Sequence, residues 1–109
     1  MIERDIQAIL NSLTLLVDST KGAAPLALLH SYASVMVLCA DLRKAVSEYN
    51  GASNITMVIG EVENHMAGLA GIFQSWDLPP DQHRVGVRAA IMKLAMLTCF
   101  GPQSAGVGE

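Results

Sequence analysis

The segment from Leu28 to Tyr49 carries apolar residues at Leu28, Tyr32, Val35, Cys39, Leu42, Val46 and Tyr49, an unbroken alternation of four- and three-residue steps. Such steps hold side chains on one face of an α-helix, with a mean period of about 3.5 residues, and would scatter them over both faces of a β-strand. Any fold open to this chain must therefore house a long amphipathic helix. The spacing recurs upstream at Ile2, Ile6, Ile9, Leu13 and Leu16, and downstream at Ile55, Ile59, Val62, Met66, Leu69, Phe73 and Trp76. A fourth segment places Val87, Ile91 and Leu94 on one face, flanked by Val85, Met92, Ala95 and Cys99. The β-branched residues among Ile55–Ile59 favour a strand locally, and the continuing period overrides them.

Breakers separate the four segments. Lys21-Gly22 supplies a cation in a last helical turn followed by a residue suited to a left-handed cap. Pro25 suits a first helical position, and Asn50-Gly51 is the expected stop of that helix. Ser53-Asn54 reads as the capping pair of the third helix. Pro79-Pro80 restarts the chain, with Asp81 near the positive end of the fourth helix, and Gly101-Pro102 ends it. Gly60, Ala67 and Gly71 fall on a stripe beside the third seam, where close approach of a neighbouring helix would offset the roughly 1 kcal/mol that each glycine costs a helix.

Four amphipathic segments with short connections predict an all-α fold, a small bundle of about four helices with antiparallel neighbours. Residues 1–102 form one domain, and the small, polar stretch 103–109 reads as a disordered tail. The second helix, at about 25 residues and roughly 37 Å, is long enough to predict a central helix hairpin that dimerises.

Charge is scarce: 16% of the 109 residues are charged, against about 25% in an average soluble domain, while 51% are hydrophobic. Apolar surface should therefore remain after the monomer folds, which points to a homodimer or a partner protein. In the second helix Leu29, Met36 and Val37 widen the apolar arc beyond the seam and are the candidate interface residues; Leu26 also lies off it. Met36, Met57, Met66, Met92 and Met96 suit either a helical core or an adaptable interface.

A net charge of −3 excludes a generally basic nucleic-acid binder. Arg84 and Arg88, with His83 and Lys93 nearby, form one basic strip, read as a docking strip for an acidic protein or a solvated face. A helix-turn-helix between Trp76 and Leu94 is a weaker alternative. The charge-free stretch from Gly22 to Ala40 contains Pro25, His30, Ser31, Tyr32 and Ser34, and its helical part falls short of the ~20 apolar residues that cross a bilayer. Glu3 and Asp5 stand where an export signal needs positive charge. A cytoplasmic protein with no membrane contact is expected, with Cys39 and Cys99 as reduced, buried thiols.

Three groups of residues bear on catalytic chemistry. Glu61 and His65 stand i and i+4 on one helical face, yet two groups make no metal site, and a solvated pair is the simpler reading. His30 with Ser31 and Ser34 lacks an orienting acid, and adjacent helical residues point about 100° apart. Neither cysteine has a neighbouring base that would activate it. Gly51 to Asn54 is more simply a cap than an anion site. No nucleotide-binding glycine motif occurs, so the expectation is a non-enzymatic protein without metal or cofactor.

The stretch from Pro25 to Ala45, followed by Asn54 to Ala70, resembles the helix pair of small bacterial anti-activators that bind LuxR-type quorum-sensing regulators, the LasR-specific type in particular. The resemblance covers about half the chain. It implies a dimer that occludes a transcriptional regulator's dimerisation surface and so blocks its DNA binding, by competition between apolar interfaces. A secretion chaperone or another helical adaptor is the alternative within the same class.

Overall fold

The computed structural model describes residues 2–49, 51–72 and 79–98. They form four helices, α1 (Ile2–Asp18), α2 (Pro25–Ala45), α3 (Ala52–Leu69) and α4 (Pro80–Thr98), and no strand occurs among the described residues. The predicted all-α bundle is the observed architecture. Each helix packs on two others, α1 on α2 and α4 and α3 on α2 and α4, so the four close a ring, and α3 and α4 share the most intimate contact. Cross-helix pairs run in opposite senses, Asp18–Arg88 and Thr20–Arg84 between α1 and α4, and Glu61–Lys93 and His65–His83 between α3 and α4. The result is an up-down-up-down bundle of 47 × 24 × 17 Å.

The core lies between the four seams. From α2 come Val35, Cys39 and Leu42, continued by Val46 and Tyr49 beyond the helix, and from α3 Ile55, Ile59, Val62, Met66 and Leu69. From α4 come Val87, Ile91 and Leu94. These match the sequence seams. In α1 the buried residues are Ile6, Leu10, Leu13 and Val17, whereas Ile9 and Leu16 are only partly buried. The apolar arc of α1 is wider than one seam, and because α1 sits between α2 and α4 its centre turns away from Ile9 and Leu16.

Three boundaries differ from expectation. Helix α2 ends at Ala45, with the Val46 N–H bonding to the Leu42 carbonyl at 3.0 Å and turns following through Tyr49, so it spans 21 residues and roughly 31 Å. Helix α3 opens on Gly51 itself, whose φ of 80° makes the reversal, and Ser53 and Asn54 lie inside the first turn without capping it. At its other end the Ile72 N–H reaches back to the Ala67 carbonyl at 2.9 Å around Gly71, with φ 77°. This 6→1 closure is a helix stop, so Gly71 terminates α3 rather than lining a packing stripe. Phe73, Trp76, Cys99, Gly101, Pro102 and the tail 103–109 lie outside the described residues. Gly22 has the expected left-handed φ of 73°, and Asp81 occupies the first turn of α4.

Candidate interaction surface

The first ten residues of α2, Pro25 to Ser34, include none that is buried, though Leu26, Ala27, Leu28, Leu29, Tyr32 and Ala33 are apolar. Leu26 is exposed, and Leu28 and Tyr32 are half-buried. By length and composition α2 as a whole suffices to cross a membrane, since the helix continues past the charge-free stretch to Ala45.

The three candidate interface residues do not form one patch. Leu29 and Met36 are seven residues apart, as are Met36 and Arg43, so all three share one side of α2. Arg43 identifies that side, because its guanidinium grips the Glu63 carboxylate of α3 in a bidentate pair, one arm Nη2 to Oε1 at 2.8 Å. Leu29, 44% exposed, and the half-buried Met36 thus lie on the Arg43 side of α2. Val37, 62% exposed, instead lines an open groove of about 550 Å³ between α1 and α2, with Ser12, Leu15, Leu16, Ser34 and Leu38. No charged side chain lines this groove.

Two apolar features escaped the sequence reading. Leu15, 70% exposed on α1, faces the groove beside Leu16. On α4, Val85, Met92 and Met96 are exposed, and with Ala89 they repeat the 4-3-4 spacing on the outer face. That spacing was a legible signal of a second apolar stripe, hidden because Val85 and Met92 read as flanks of the buried one. Met66 is the methionine that fills the core, while Met57 is exposed like Met92 and Met96.

Each cation of the basic strip has a partner on the protein, and only Arg84 is turned inward. Arg84 donates from Nε to Thr20 Oγ1 at 3.0 Å, from Nη2 to the Thr20 carbonyl at 3.3 Å, and from Nη1 to Asp81 at 2.5 Å. Arg88 pairs with Asp18 at 3.3 Å, Lys93 with Glu61 at 3.5 Å, and His83 is buried. The strip thus ties α4 to α1 and α3, with the side chains of Arg88 and Lys93 still more than half exposed.

Glu61 and His65 do not converge. Glu61 turns to Lys93, and His65 Nδ1 meets His83 Nδ1 at 3.1 Å. Among the described residues no three His, Cys, Asp or Glu side chains cluster as metal ligands. Burial, then the neighbouring His83, pulls the His65 pKa below its ordinary value against an opposing pull from Glu61. His30 and Ser34 are exposed and Ser31 is half-buried. Cys39 is fully buried in the core, and burial, with Glu63 adding to it and Arg43 opposing, pushes its thiol up to about 12. Such a thiol is inert at neutral pH.

No family model matches the chain, and no curated protein or solved structure does either.

Proposed function

We propose that this chain is a non-enzymatic interaction module that acts as a homodimer and sequesters a LuxR-type transcriptional regulator, covering the surface through which the regulator dimerises and so keeping it off DNA. The observation that carries the reading is the uncharged groove between α1 and α2, where Leu15 and Val37 stand exposed with no charged neighbour in the lining. Large apolar side chains left in water at a groove favour exchange of solvent for a partner's apolar helix. The resemblance of residues 25–45 and 54–70 to anti-activators of this class names the partner.

The test is co-purification of the chain with LuxR-type regulators of its own genome, together with sedimentation of each species and a mobility-shift assay on the regulator's operator. Release of the operator by wild type, and loss of that effect in Val37→Asp and Leu15→Asp with helical content unchanged, is the expected result. Met36→Asp is the contrasting variant, since its half-buried side chain reports on packing as well. Operator binding unaffected by a saturating amount of the wild-type chain, or capture of an export substrate in place of a regulator, overturns the proposal.

A further inference from the structure

Two four-residue stretches, His65-Met66-Ala67-Gly68 on α3 and His83-Arg84-Val85-Gly86 on α4, share the spacing His-x-x-Gly. Because the helices are antiparallel, each histidine meets the other helix's glycine: the His83 ring lies over Gly68 and the His65 ring over Gly86. Between them the rings meet through their Nδ1 atoms at 3.1 Å, with centroids 5.4 Å apart and planes inclined by 63°. A centroid separation of 5.4 Å is close to the largest that a 3.1 Å nitrogen contact permits, so the two Nδ1 atoms point at each other along the line of centres. That is the geometry of an N–H···N hydrogen bond. A metal ion held by both nitrogens would need the rings angled toward a common third point.

Proton placement follows. One ring must carry hydrogen on Nδ1 and donate, and the other must keep Nδ1 bare and accept. A first proton that enters the Nε2 of the donating ring leaves the hydrogen bond intact, although at His83 that atom is buried. A second must enter the accepting Nδ1, which sets two N–H groups and two positive charges face to face. Each ring lies against the facing helix where a glycine leaves room for it.

We propose that the His65–His83 contact is a proton-operated latch on the α3–α4 interface, closed while one Nδ1 hydrogen is shared between the rings and opened when both Nδ1 atoms are protonated. The surrounding charges are committed elsewhere. On α3, Glu61 lies one turn before His65 and is tied to Lys93 of α4. On α4, Arg84 turns to Thr20 of α1 and to Asp81, and Arg88 engages Asp18 of α1. From α2, Arg43 and Cys39 act on Glu63, two residues from His65 and on another side of α3. Burial and the charge of His83 oppose protonation of His65, which puts opening in the acid range rather than at neutrality.

The test is long-range proton–nitrogen NMR of the imidazole rings, read from about pH 8 to about pH 4.5 together with amide exchange. The expected result is one protonated and one bare Nδ1 for the pair at neutral pH, with loss of that arrangement coinciding with loss of amide protection along α3 and α4. Two rings both carrying hydrogen on Nε2 alone, or acid titration of both with α3–α4 protection unchanged, overturns it. Urea unfolding of His65→Gln and His65→Asn provides a second reading. The change in midpoint between about pH 7.5 and about pH 5 should fall to less than half of the wild-type change, with exposed His30 common to all three proteins. An unchanged pH dependence in both variants sinks the latch.

Discussion

The His83 ring occupies the place where a side chain on residue 68 would begin: a Cβ built on Gly68 falls 2.5 Å from both Cε1 and Nε2 of that ring. The ring is buried and held by its contact with His65, so an alanine at this position must push α3 and α4 apart. The relationship is reciprocal at Gly86, beneath His65. Gly68→Ala and Gly86→Ala should each destabilise the protein by about 1–3 kcal/mol, through overpacking. Gly60, on the same helix as Gly68, has open space around its Cβ position, and Gly60→Ala should stabilise by about 0.5–1 kcal/mol through helix propensity alone. Urea midpoints of the three variants check both signs in one experiment.

Acid should weaken the fold through His65. The unfolded histidine titrates near pH 6.5, and the folded one lower, because burial and His83 disfavour its charge. Between the two values the unfolded chain binds the extra proton, so stability rises with pH there. It is complete above about pH 6.5, is lost as the pH falls toward the folded pKa, and levels off below it. Urea midpoints at several pH values should trace this slope.

Cys39 should resist alkylation. With its pKa pushed up to about 12 and no exposed surface, the thiol is neither ionised nor reachable in the folded protein at pH 8. Iodoacetamide labelling resolved by peptide mass spectrometry should leave Cys39 unmodified in buffer and modify it fully in concentrated urea. Rapid labelling of the folded chain at this peptide is the contrary result.

Arg84 and Arg88 should separate by stability rather than by charge. Arg84, its side chain 14% exposed, satisfies both the hydroxyl and the carbonyl of buried Thr20, and Arg84→Ala should cost about 1–3 kcal/mol. Arg88, more than half exposed in its pair with Asp18, should change stability by no more than about 0.5 kcal/mol on truncation. Thermal unfolding of the two single variants is sufficient.

The 4-3 spacing of α2 predicted its buried side residue by residue from Val35 to Tyr49, because in a helix direction around the axis depends only on position along the chain. Helix type, the left-handed Gly22 and the acidic first turn of α4 were legible for the same local reason. The ends of α2 and α3 were not. Val46 and Tyr49 keep the seam spacing while leaving the helix, Gly51 rather than the Ser53-Asn54 pair opens α3, and Gly71 closes it with a left-handed turn. Of the candidate interface, the apolar excess was visible, but its division was not: Leu29 and Met36 lie on the Arg43 side of α2, and Val37 joins Leu15 of another helix.

What the sequence determined by itself is the set of relations internal to one helix: four helices, which arc of each is apolar, and a surplus of apolar residues too large for one small core. What only the tertiary structure decided is every relation between helices. Gly68 and Gly86, rather than Gly60 and Gly71, receive a neighbouring helix; His65 faces His83 rather than Glu61; and the basic strip is spent on Thr20, Asp18, Asp81 and Glu61. The physical reason is that spacing along a chain fixes the angle of a side chain about its own axis, whereas the partner it meets depends on the offset and order of separate helices, which packing of the whole core selects.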